Sequence, residues 1–108
     1  MRKMVIQQLE QDFDKEILAS TLPILAYFQS EWCSSCKGLA PIVEKLSDYY
    51  ADRVTFIKVD TLASISLAAH HSVLSTPTII LFREGKEITR NIGFISEQNL
   101  KTLIEKSL

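Results

Sequence analysis

An almost unbroken apolar run, Ile24, Leu25, Ala26, Tyr27 and Phe28, is followed within a few residues by both cysteines of the chain, Cys33 and Cys36, and then by a long helical pattern. A run with no polar alternation suits a strand covered on both faces, because any exposed face would carry polar side chains. Such a strand feeding directly into a helix limits the chain to a layered α/β build, with helices packed on both sides of a sheet.

The remaining pattern agrees. Val5 and Ile6 begin a short strand, and residues 12–18, with Phe13 and Ile17 four apart, read as a first helix. Pro23 ends helix ahead of the central strand. From Cys33 to Tyr50, the side chains of Cys36, Leu39, Ala40, Val43, Leu46 and Tyr50 fall on one face at helical spacing. Pro41 removes the hydrogen bond to the Lys37 carbonyl and predicts a kink there. Residues 54–59 form a strand by β-branched content, and Ser64 is placed to cap a helix that passes Leu67, Ala68 and Ala69 to about His71. Thr78 to Phe82 is a second buried strand, and Glu84-Gly85 turns it into residues 87–92 as a hairpin. Ser96 caps a last helix with Leu100, Leu103, Ile104 and Leu108 inward and Glu97 and Lys101 paired outside. The order β-α-β-α-β-α-β-β-α predicts a mostly parallel sheet with helices on both faces and an antiparallel hairpin at its end. No linker, repeat or low-complexity tract divides it, so one domain over residues 1–108 is expected.

A formal net charge of −1 leaves no electrostatic case for nucleic acid or an anionic membrane as partner. The segment Met1 to Gln8 reaches polar side chains before the apolar core of a leader could form, so no signal peptide and a cytoplasmic location are expected. Structural disulfides are rare in that compartment, so two cysteines kept close together point to redox chemistry or to metal. The two-residue spacing alone does not choose between them. As a mere staple, the pair would close a loop too short to remove much unfolded-state entropy. A zinc site would need ligands beyond Cys33 and Cys36, and the candidates are His70 and His71. Neighbouring helical side chains diverge by about 100° and do not readily meet on one ion. No metal is therefore expected, and the histidines read as a helix end whose dipole favours cations.

Trp32-Cys33-Ser34-Ser35-Cys36-Lys37 at the end of a central strand, Pro41 beyond it, Lys58-Val59-Asp60, Thr76-Pro77-Thr78, Phe82 with Gly85, and Gly93 together resemble the thioredoxin family, in order and over essentially the whole chain. The resemblance implies a mixed five-stranded sheet flanked by four helices. It implies a thiol-disulfide oxidoreductase that reduces protein disulfides in the cytoplasm as a monomer, with no cofactor beyond its own Cys33–Cys36 disulfide. The implied partners are disulfide-containing client proteins and a flavoprotein thioredoxin reductase. It also implies a cis proline at Pro77, whose loop lies against the cysteines and leaves the backbone of Thr76 free to pair with an extended substrate. Trp32, Thr76, Pro77, Gly93 and Phe94 would then form a shallow apolar docking patch.

The chemistry of the cysteines follows from helix electrostatics. Thiolate is the nucleophile, and the unpaired N–H groups and positive dipole end of a helix start stabilise an anion. Cys33 stands at that start and is expected to attack. Cys36, one turn further and on the core face, is expected to resolve the mixed disulfide.

Departures from the family pattern fall at positions expected to modulate this chemistry. Ser34 and Ser35 replace the usual Gly-Pro, and Thr76 replaces a common isoleucine. Their hydroxyls are expected to favour the reduced form and make the pair more oxidising. Tyr27 stands where the family usually buries an aspartate, leaving Lys58 without its customary acid, and Gln29 replaces a second tryptophan. Tyr27 reads as core rather than as an acid or base. Lys58 either snorkels to solvent or acts electrostatically, and Trp32 either docks substrate or simply packs. The alternatives to a general reductase are a non-catalytic interaction module of the same fold, or a redox partner dedicated to one client.

Overall fold

The computed structural model describes the backbone of Val5–Ile6 and residues 10–108. Its elements are β1 (Val5–Ile6), α1 (Glu10–Ala19), β2 (Ile24–Gln29), α2 (Ser34–Tyr49), β3 (Thr55–Asp60), α3 (Ile65–His70), β4 (Thr78–Arg83), β5 (Lys86–Ile92) and α4 (Glu97–Ser107). The strands form a five-stranded sheet in the order β1-β3-β2-β4-β5. β1 and β2 run parallel to β3, whereas β4 is antiparallel to both β2 and β5. The expected mostly parallel sheet is thus evenly mixed. The reason is that α3 delivers the chain to the far side of β2 in the reverse direction, which a count of alternating elements does not reveal.

The apolar run behaves as its sequence requires. Ile24, Leu25, Ala26, Tyr27 and Phe28 are all buried, and their alternation splits the core into two layers. Ile24, Ala26 and Phe28 pack with Phe13 and Ile17 of α1 and Leu67 and Ala68 of α3. Leu25 and Tyr27 pack on the other face with Leu39, Val43 and Leu46 of α2 and Leu100 and Ile104 of α4. Full burial of each large side chain contributes roughly 1.5–3 kcal/mol, so this one strand anchors both layers.

Local signals were obeyed unevenly. α2 continues through Pro41 to Tyr49. Ser96 caps α4 by accepting from the Asn99 N–H at 3.2 Å, but Ser64 makes no side-chain cap bond at the start of α3. Leu108, expected on the inner face of the last helix, lies just past the end of α4 and is exposed, whereas Ser107 is buried, its hydroxyl donating back to the Leu103 carbonyl at 3.0 Å. Glu97 pairs with Lys45 of α2 at 3.0 Å instead of with Lys101, whose ammonium sits 4.7 Å from the centre of the Tyr49 ring. Both contacts reach across to α2, and neighbour spacing within α4 cannot anticipate them. The hairpin turn has φ of 53° at Glu84 and 80° at Gly85, the left-handed pair that matches strand twist in a two-residue loop. No described helix is long and apolar enough to cross a membrane.

Candidate active site at the start of helix α2

Strand pairing gathers the site at one end of the sheet. Phe28 of β2 lies opposite Thr78 of β4, which also pairs with Ile92 of β5, while Gln29 pairs with Asp60 of β3. The loop from β2 to Cys33, the Thr76-Pro77 loop before β4, and Gly93 after β5 therefore emerge at the same edge. The Thr76–Pro77 bond is cis, and the Pro77 carbonyl accepts from the Gly93 N–H at 2.8 Å. Gly93 has a φ of 94°, so glycine is needed there for its backbone; a Cβ at that position would meet nothing within 4 Å.

Cys33 and Cys36 are joined in a disulfide, with their Cα atoms 5.2 Å apart. Cys33 is the N-cap of α2, extended at φ −99° and ψ 109°, and its Sγ accepts from the Cys36 N–H at 3.1 Å. A sulfur thus occupies the position usually held by a serine or aspartate oxygen, where helix N–H groups and dipole favour negative charge. Cys33 is half-buried, whereas Cys36 is only 3% exposed. Ser34 and Ser35 point their exposed positions to solvent, and the bond that reaches Cys33 Sγ comes from backbone.

Beneath the pair, Tyr27 is buried and its hydroxyl donates to the Cys36 carbonyl at 3.1 Å. Burial pushes its pKa up to about 12, so it keeps its proton throughout the neutral range. Lys58 lies beside Tyr27 in the β2–β3 register, half-buried. Both line a cavity of about 180 Å³ together with Gln29, Glu31, Cys36 and Lys37. The expectation that Tyr27 sits below the inner cysteine as a core residue agrees with this geometry.

Trp32 is 82% exposed, which removes core filling as its reason for being there. Phe94 is exposed as well, and its ring lies over Gly38 of α2, 3.6 Å from where a Cβ would stand. Thr76 is half-buried and Pro77 buried. Sequence reasoning missed three contributors to this edge. Leu74 and Ile92 are exposed apolar residues, at 94% and 66%. The Asn91 amide donates to the Gly93 carbonyl at 3.0 Å, bracing the turn. Ile92 could have been found from its adjacency to Gly93; Leu74 carries no periodic signal.

The two histidines, expected to diverge as helical neighbours, reach the same acidic side chain. Nε2 of His70 and Nε2 of His71 both reach the Asp14 carboxylate, at 3.6 and 3.2 Å. They converge because His71 lies past the end of α3, as its C-cap with φ −97° and ψ 14°, and because one carboxylate offers two oxygens. The cysteines do not join this group.

A disulfide-bonded Cys-x-x-Cys at a helix start, with the outer cysteine half-buried, the inner one buried and a cis-proline loop at the same sheet edge, defines a thiol-disulfide oxidoreductase. The sequence profile of the Thioredoxin family matches residues 4–106. The chain is 31% identical to thioredoxin 1 of Synechococcus elongatus over 96 residues, 89% of this chain and 90% of that protein. It is 30% identical to the thioredoxin of Acidithiobacillus ferridurans over 108 residues, the full length of both. It is also 38% identical to thioredoxin X, a chloroplastic protein of Arabidopsis thaliana, over 98 residues, 89% of this chain and 54% of that protein. The chain belongs to the thioredoxin family. It is a protein-disulfide reductase that works through its own redox-active disulfide and needs no cofactor. Disulfide-containing proteins are its class of substrate, and thioredoxin reductases its class of partner.

Proposed function

We propose that Cys33 is the attacking thiol and Cys36 the resolving one, within a single domain spanning residues 1–108. Cys33 thiolate attacks one sulfur of a client disulfide, the client S–S bond breaks, and its second sulfur leaves as thiolate. Cys36 thiolate then attacks Cys33 Sγ and expels the first client sulfur. The client gains two electrons, and the pair is left as the Cys33–Cys36 disulfide. A flavoprotein reductase returns the two electrons. The observation that carries this assignment is the half-buried Cys33 at the N-cap, against an inner cysteine that is 3% exposed.

Trp32, Thr76, Pro77, Gly93 and Phe94 are the docking patch in this reading, supported by the exposure of the two aromatic rings and by the shared sheet edge. Ser34, Ser35, Tyr27 and Lys58 tune the rate and potential. The protein acts in the cytoplasm as a monomer. Reduction of insulin by dithiothreitol, followed by turbidity, tests the general reductase reading. Acceleration by catalytic amounts of wild type, lost in Cys33→Ser, is the expected result. No acceleration, with reduction of a single native client intact, would instead indicate a dedicated redox partner.

A further inference from the structure

Away from the cysteines, the only two histidines of the chain share one carboxylate. We propose that Asp14, His70 and His71 form a binding site for a divalent cation of the zinc type. One ligand atom from each of the three residues lies within 4.8 Å of the others. Two donors on a tetrahedral zinc, at bond lengths of about 2.0–2.1 Å, stand roughly 3.3 Å apart. The contacts from His71 to Asp14 Oδ1 and from His70 to Asp14 Oδ2, at 3.2 and 3.6 Å, lie near that edge length, and a turn of the imidazoles and the carboxylate toward a common centre would admit an ion. Two imidazoles with one carboxylate are a donor set suited to zinc and its neighbours rather than to calcium or magnesium, which take oxygen ligands.

The ligands are held before any ion arrives. His71 packs edge-on against Phe13 and Phe82, with ring centres 5.1 and 5.7 Å away. Its carbonyl accepts from the Arg90 guanidinium at 2.9 Å. Asp14 follows the fully buried Phe13 on α1, so its backbone is anchored next to the ring on which His71 packs. The charge environment is tolerant of a cation, because Arg90 is paired with Glu87 through two contacts of 2.7 Å. The open side is provided by the side chains of His70 and Asp14, 53% and 38% exposed, leaving room for water in the remaining coordination positions. α1 and α3 cover the sheet face opposite α2, so this site is separate from the redox pair and does not depend on its assignment.

The test is calorimetric titration of zinc chloride into the oxidised full-length protein, in which Cys33 and Cys36 are tied up as a disulfide, in a slightly alkaline, non-chelating buffer. One ion per chain is expected, with affinity weakened by about tenfold or more in His70→Ala and in Asp14→Asn. His70 is exposed, so its replacement leaves the core intact. Zinc at ten times the wild-type dissociation constant should raise the Tm of wild type by about 6 °C and that of His70→Ala by about 2 °C or less. Histidine ring signals in NMR spectra should shift for both imidazoles together. No binding would show the trio to be only a clamp between α1 and α3. Equal binding by wild type and both variants would place the ion elsewhere. Either result overturns the proposal.

Discussion

The Tyr27 hydroxyl donates to the Cys36 carbonyl at 3.1 Å, so the side chain beneath the inner cysteine holds helix backbone and not its thiol. With a pKa near 12, it stays protonated at neutral pH and offers no phenolate to take a proton from Cys36. Deprotonation of Cys36 must then rely on another base, such as water or hydroxide admitted through the cavity beside Lys58.

Resolution of the mixed disulfide should accordingly be slow near neutrality and rise steadily with pH. Tyr27→Phe removes one hydrogen bond, costs about 1 kcal/mol of stability, and should leave that pH profile unchanged. Tyr27→Asp should speed resolution near pH 7 by supplying a carboxylate next to Lys58, while costing about 3 kcal/mol or more for the lost ring. Stopped-flow reduction of a model disulfide between about pH 6 and 9 brackets thiol titration and separates these cases. A Tyr27→Asp profile identical to wild type would sink the idea.

Cys36→Ser should accumulate a covalent adduct with an oxidised client, because attack by Cys33 proceeds and release does not. Cys33→Ser should trap little, since the remaining thiol is buried. Mass spectrometry of non-reducing gel bands reads this directly; trapping by the second variant alone would reverse the roles.

The redox potential should lie above the roughly −270 mV of a thioredoxin with Gly-Pro between its cysteines. Ser34-Ser35 in place of Gly-Pro removes the restriction that proline puts on the turn between the cysteines, which eases opening of the disulfide. Ser34→Gly with Ser35→Pro should lower the potential in a glutathione or dithiothreitol titration. An unchanged value would assign the potential to the backbone donor from Cys36 alone.

Glu87 offers a pH test of the fold. Its hydrogen bonds from Arg90 hold the carboxyl below its ordinary value of 4.5. A carboxyl with a depressed folded-state pKa adds stability above its unfolded pKa, and that stability is lost as pH falls through the folded value. Glu87→Gln should therefore be less stable than wild type at pH 7, by under about 1 kcal/mol because the pair is partly exposed. In urea unfolding the difference should shrink steadily as pH falls below the ordinary 4.5, because the carboxyl then protonates in the unfolded chain before the folded one. Arg90→Ala should cost more, since it also releases the carbonyls of His71 and Ser72.

Much of this arrangement was legible because it is local. The apolar run of β2, the turn chemistry of Glu84-Gly85 and the cysteines at a helix start are each written in adjacent residues. Contacts between elements distant in sequence were not. The direction of β4 depends on where α3 leaves the chain, and Glu97 chose Lys45 over its helical neighbour because α2 lies alongside. Asp14 and the two histidines lie 56 and 57 residues apart, so only the packing of α1 on α3 could reveal their convergence. Exposure was hidden at Leu74, which resembles a core residue by composition and differs from one only in what the fold leaves uncovered.

Because Cys33 Sγ is the acceptor that caps α2, the atom that exchanges electrons also terminates a helix. Thiolate accepts such a bond well and a disulfide sulfur accepts it poorly, so reduction tightens the first turn and oxidation relaxes it. Folding and electron transfer then close a thermodynamic cycle. The difference in unfolding free energy between the two redox forms equals the displacement of the site's potential from that of the unfolded dithiol, with about 1.4 kcal/mol corresponding to about 30 mV. The electron affinity of the protein is thus partly a helix–coil property, and a melting curve of each form is an electrochemical measurement made without an electrode.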